Sequence, residues 1–125
     1  MSEPGHDTGS GSILIVEGDP EIGALIRSTL HAAGYSTRMA AAGAEALQAI
    51  ALYWPALIIL DENLPEVDGD ELMDVLNEWD IAPPVLVITG DPHGEEWAEE
   101  IGAAAFLAKP FEVEQLLDRV RASTA

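Results

Sequence analysis

The sequence predicts an α/β fold: a doubly wound (βα)5 sandwich with a parallel sheet between two helical layers. Apolar runs and helix-spaced segments alternate five times along the chain, the pattern of right-handed βαβ crossovers. The runs "ILIV" at 13–16, "ALIIL" at 56–60 and "PVLVIT" at 84–89 are almost continuous in aliphatics, as strands covered on both faces require. "YSTRMA" at 35–40 and "AAFLA" at 104–108 complete the five.

Each helix has its own signals. Asp19-Pro20 is a cap followed by proline at the first helical position, with Ile22, Leu25, Ile26, Thr29 and Leu30 on one face. Gly34 ends that helix. A second runs from Ala44 to Tyr53 and stops before Pro55. Gly69 opens a third, with Leu72, Val75, Leu76 and Trp79 inward. Asp91-Pro92 repeats the cap-proline pair for a fourth. Phe111 to Ala122 is a fifth, with Val113, Leu116, Leu117 and Val120 inward. Trp54 reads as a packing residue beside Pro55.

Composition narrows the function. At 125 residues and 48% hydrophobic, the chain suits one packed domain. Residues 1–12 read as a flexible polar N-terminal tail and 13–123 as the domain, with no signal peptide ahead of it and no output domain behind. The absence of cysteine excludes disulfides and thiolate metal sites. No apolar run has the length of a membrane span, so a cytoplasmic location is expected. With 23 acids against five Lys and Arg, the net charge of −18 disfavours direct contact with nucleic acid or an anionic membrane.

Ligands of open α/β sheets bind outside the carboxyl ends of the strands. Those ends carry Glu17, Asp61, Thr89 and Lys109. An aspartate after a strand is most often a solvated turn former. Asp61 differs in having a second acid across the sheet, a pair that suits Mg²⁺ and, with the cation in place, nucleophilic attack on a phosphoryl group. Lys109 is the only lysine, set in "FLAKPF" rather than on a polar surface. It is placed to pair with Asp61, and its bond to Pro110 is a candidate cis peptide. Thr89 needs no special role as a strand residue, but at a strand end its hydroxyl can serve a bound oxyanion. Gly90 would leave that anion room.

The stretches "ILIVEGDPEI", "LIILDENLPEVDG", "PVLVITG" and "GAAAFLAKPF" stand in the order and spacing of response regulator receiver domains, the CheY-like proteins of two-component phosphorelays. The chain resembles that family over about its whole length after residue 12. The resemblance implies a flavodoxin-like sheet in the order 2-1-3-4-5. It makes Asp61 the phosphoacceptor, taking a phosphoryl group from the phosphohistidine of a sensor histidine kinase or a histidine phosphotransfer protein. Lys109 then contacts the phosphoryl oxygens, Thr89 is the switch hydroxyl, and Phe106 is the aromatic residue that follows it. Metal binding falls to Glu17, Asp61 and the backbone carbonyl of Asn63. Gly18 departs from the family, which normally carries a direct Mg²⁺ ligand there, so weaker Mg²⁺ binding and slower phosphorylation are expected. Asp19 reads as a helix cap, with a share in metal binding as the alternative. The resemblance also implies signalling through a downstream protein partner and leaves a homodimer open. Trp97, flanked by glutamates, is either an exposed anchor on that partner surface or an edge-packing residue.

Rival readings come from other classes. Loss of the acid at position 18 motivates a phosphorylation-independent interaction module, against which stand Asp61, Thr89 and Lys109. A haloacid-dehalogenase-type phosphatase needs a second aspartate where Asn63 stands. A flavodoxin-like electron carrier needs a phosphate loop where "EGDPE" would repel the flavin phosphate. The chain is therefore expected to be a signalling domain rather than an enzyme. His6, His31 and His93 lack partners at metal-ligand spacing.

Overall fold

Strands buried on both faces need apolar side chains at nearly every position, and the three aliphatic runs meet that demand. In the computed structural model, which describes residues 12–61, 69–78 and 83–124, they form β1 (Ser12–Val16), β3 (Leu57–Asp61) and β4 (Val85–Thr89), each buried throughout. The edges are β2 (Ser36–Ala40) and β5 (Ala105–Ala108), and the sheet is parallel in the order 2-1-3-4-5. β2 pairs on one side only, and its mixed sequence STRMA matches that half-exposed place.

Five helices alternate with the strands: α1 (Pro20–Ala32), α2 (Gly43–Tyr53), α3 (Gly69–Glu78), α4 (Gly94–Glu100) and α5 (Val113–Thr124). Successive strand side chains point to opposite faces, and this builds two cores. Ile13 and Ile15 meet Ile26 and Leu30 of α1 and Leu116 and Val120 of α5. Leu14 and Val16 meet Ile50 of α2, Leu72 and Leu76 of α3, and Trp97 of α4. Each fully buried aliphatic side chain contributes about 1.5–3 kcal/mol relative to exposure.

The end signals of α1 behave as the sequence predicts. Asp19 Oδ1 accepts from the backbone N–H of Glu21 at 2.9 Å and of Ile22 at 3.4 Å, with Pro20 opening the helix. Gly34, at φ 96°, takes the left-handed conformation that follows the last turn. The same dipeptide acts differently before α4. Asp91 Oδ1 accepts from His93 N at 2.8 Å and Asp91 O from Gly94 N at 3.0 Å, so Asp91-Pro92 closes a turn, and the helix starts only at Gly94.

Three apolar assignments need correction, and a fourth, left open, is decided. Leu25 is 46% exposed, because it lies one residue, about 100° of helix, off the Ile22–Ile26 stripe. Val113 opens α5, which therefore begins two residues later than expected, and lies exposed ahead of the buried Leu116. Trp54 follows the last residue of α2 and stays 43% exposed. Trp97, left open between an exposed anchor and a packing residue, is 9% exposed and packs in the core with Ala98, which favours packing. Positions 97 and 101 are four apart and share one helical face, which turns Trp97 inward while its glutamate neighbours remain in water. Trp79 lies outside the described residues.

Candidate functional site

Strand register assembles the site. Val16 is opposite Leu60, so the next residues, Glu17 and Asp61, leave the sheet side by side. Asp61 is opposite Ile88 and Thr89 is opposite Ala108, which brings Thr89 and Lys109 to the same edge. β1 and β3 flank the point where the chain reverses its direction of winding, the usual ligand crevice of such sheets.

Glu17, Asp61 and Thr89 are 4%, 8% and 1% exposed, among the few buried polar residues described. Lys109 Nζ lies 3.0 Å from Glu17 Oε1 and 3.5 Å from Asp61 Oδ1. The pairing with Asp61 matches the sequence-based expectation, while the shorter one, with Glu17, was not foreseen. Glu17 Oε2 also accepts from Asp19 N at 3.1 Å. Burial, reinforced by the neighbouring Asp61, pushes the Glu17 carboxyl above its ordinary value, against the opposing pull of Asp19 N and Lys109. Thr89 Oγ1 accepts from Asp91 N at 3.0 Å, and its carbonyl accepts from Lys109 N at 2.9 Å. Phe106, half-buried, packs on the α2–α4 side, and its carbonyl accepts from Arg119 Nε at 3.2 Å. The Lys109–Pro110 bond is cis.

The remaining positions sort clearly. Gly18 is exposed beside Glu17. Asp19 is the α1 cap, its Oδ1 engaged by two backbone N–H groups. At Gly90 an added Cβ would stand 3.7 Å from Lys109 Cβ, an ordinary contact, so no described atom demands glycine there. Gly94, which the sequence did not single out, lies against Thr89, and a glycine opening a helix gives little signal of such a contact. Asn63 lies outside the described residues. His31 Nε2 pairs with Thr37 Oγ1 at 2.8 Å and His93 Nδ1 with Glu96 Oε1 at 3.2 Å, both on the surface.

Two buried carboxyls facing one ammonium leave an excess of negative charge and hard oxygen donors. Among the described residues no group of three or more His, Cys, Asp or Glu converges as a metal cage. The residues fit a cation that keeps much of its water, as Mg²⁺ does. Beside Lys109 runs a groove of about 310 Å³ lined by Ile22, Leu25, Pro110 and Phe111. Among the described residues no helix is long and apolar enough to cross a membrane.

Known proteins resemble this chain in sequence and fold. Residues 13–121 match the response regulator receiver domain. The transcriptional regulatory protein KdpE of Mycobacterium tuberculosis is 33% identical over 113 residues, which cover 89% of this chain and 50% of KdpE. The response regulator MprA of a Mycobacterium species is 38% identical over 112 residues, 88% of this chain and 49% of MprA. The chain thus spans about half the length of these relatives. The receiver domain of NtrX from Brucella abortus superposes with a TM-score of 0.83 at 31% identity, covering 90% of this chain and 97% of that one. The chemotaxis protein CheY4 of Vibrio cholerae gives 0.79 at 29% identity, covering 90% and 98%. Receiver domains generally are signalling modules rather than enzymes, are phosphorylated on an aspartate beside bound Mg²⁺, and work with sensor kinases and downstream effectors. The chain belongs to the response regulator receiver domain family.

Proposed function

We propose that this domain accepts a phosphoryl group from a phosphohistidine donor onto Asp61 and signals through protein–protein contact. The observation that carries this is the Glu17–Lys109–Asp61 cluster, buried at the mouth of the sheet. An Asp61 carboxylate oxygen attacks phosphorus, the P–N bond breaks with its electron pair going to the imidazole nitrogen, and an aspartyl phosphate results. Mg²⁺, when bound, supplies neutralisation of the incoming phosphoryl charge. Glu17 and Asp61, with the Asn63 carbonyl, would hold it. Lys109, already 3.5 Å from Asp61, offers its ammonium to a phosphoryl oxygen, and Thr89 offers its hydroxyl. The apolar groove beside Lys109, with the exposed Leu25 on its wall, receives the donor protein. Phe106 and α4 then carry the change toward a downstream partner.

The test is intact mass after incubation with a small-molecule phosphodonor, with and without Mg²⁺. One added phosphoryl group, dependent on Mg²⁺ and absent in Asp61→Asn, is expected. An Asp61→Asn variant that labels like the parent would move the acceptor elsewhere. A parent that never labels would favour a phosphorylation-independent interaction module.

A further inference from the structure

Thr89 is held from two sides by the turn that leads into α4. Its Oγ1 accepts from Asp91 N at 3.0 Å. Its methyl group lies against Gly94, where an added Cβ would overlap Thr89 Cγ2 and come within 3.4 Å of Thr89 Cβ and 3.2 Å of Phe106 Cε1. The turn between these contacts is itself stitched, by His93 N to Asp91 Oδ1 at 2.8 Å and Gly94 N to Asp91 O at 3.0 Å. Gly94 has ordinary helical backbone, and alanine is the better helix former. What glycine supplies here is space.

We propose that Gly94 is a positioning residue for the switch at Thr89, because only a residue without a side chain lets the turn before α4 close on the threonine. Its missing side chain seats the first turn of α4 directly on the Thr89 methyl, between Thr89 and Phe106. Oγ1 and Cγ2 share one Cβ and move together between staggered rotamers. A rotation that turns the hydroxyl toward Asp61 therefore breaks its bond to Asp91 and carries the methyl off Gly94 in the same motion. The inference rests on the proposed function, in which Thr89 answers phosphorylation of Asp61.

The experiment records intact mass and the NMR signals of α4, including the Trp97 indole, in the full chain before and after phosphodonor and Mg²⁺. The variants are Gly94→Ala and Gly94→Ala with Thr89→Ser, in which the alanine methyl occupies the space the threonine methyl leaves. The parent should gain the phosphoryl mass and shift its α4 signals. Gly94→Ala should gain the same mass with the α4 response largely lost, and the double variant should regain both response and melting temperature. An α4 response in Gly94→Ala equal to the parent's overturns the proposal, as does a double variant that recovers nothing. If Gly94→Ala does not fold, the double variant must; failure of both overturns the contact. A parent that takes no phosphoryl group defeats the proposed function instead. Melting temperatures then decide the contact: loss in Gly94→Ala and recovery in the double variant support it, and no loss overturns it.

Discussion

Lys109→Met keeps most of the side-chain volume and removes the ammonium that faces Glu17 Oε1 at 3.0 Å and Asp61 Oδ1 at 3.5 Å. A buried charge left without its partner costs about 3–5 kcal/mol. Glu17 has an escape, since it can take up a proton and donate to Asp61. Holding a proton on a carboxyl whose ordinary value is 4.5 costs about 1.4 kcal/mol for each pH unit above that value. The escape therefore caps the loss at about 3.4 kcal/mol at about pH 7 and about 0.7 kcal/mol at about pH 5. Residual solvent at Lys109, 18% exposed, lowers the expected loss to about 2–3 kcal/mol at the higher pH. The sign follows from Glu17 being pushed up. A raised acid lends the fold stability that is complete below its ordinary value and fades as pH rises through its folded value. Removing Lys109 extends that window toward neutral pH. Urea unfolding of parent and variant, with a chelator present, measures the difference at both pH values. An equal loss at the two, or none at about pH 7, would refute the three-group charge argument.

Asp19→Ala should lose about 1 kcal/mol as a missing cap while phosphorylation keeps its Mg²⁺ dependence; loss of that dependence would give Asp19 a part in the metal site. Gly18→Asp should tighten Mg²⁺ binding, read as a larger Mg²⁺-induced rise in melting temperature, and should speed labelling by a small phosphodonor. Identical Mg²⁺ responses would mean that position 18 faces away from the cation. Ile26→Ala should cost about 2–5 kcal/mol, like other large-to-small core changes, whereas Leu25→Ala should stay within about 0.5 kcal/mol of the parent. Equal costs in urea unfolding would contradict the assigned helix stripe.

The layers and the gathering of Glu17, Asp61, Thr89 and Lys109 were legible because they follow from continuous aliphatic runs and from which residue comes next, whereas the strand order came with the family resemblance alone. Less legible was whatever depends on rotation about a helix axis or on a tertiary partner. Leu25 and Ile26 are equivalent in hydropathy, and only docking against the sheet separates one as exposed from the other as fully buried. Asp19-Pro20 and Asp91-Pro92 are the same dipeptide with different outcomes. Asp91 has its backbone N–H bound to the Thr89 hydroxyl and its carboxylate bound to His93, which fixes a turn before α4 can begin. Asp19 has its N–H bound to Glu17, leaving its carboxylate to cap the helix directly. The Glu17–Lys109 pair was hidden for another reason. Ninety-two positions separate the two residues, and only the closing of the sheet sets them in contact.

On the proposed function, the charge at the sheet mouth gives the glycine at position 18 a physical meaning. In a chain of 23 acids, the one lysine stands against Glu17 and Asp61, where the proposed function brings an anionic phosphoryl group. With Glu17 and Asp61 ionised and Lys109 charged, the described site carries a net charge of minus one. A carboxylate at position 18 would raise that to minus two, strengthening both the attraction for a divalent cation and the repulsion the metal-free fold must tolerate. On the proposed function, glycine at position 18 would reduce both together. Burial moves Glu17 in the same direction, since a carboxyl pushed toward protonation sheds charge without losing its oxygen donors. Metal affinity and metal-free stability are thus opposed through the same few charges. Substitutions at positions 17, 18 and 109 should move the two quantities in opposite directions whenever they change only the charge.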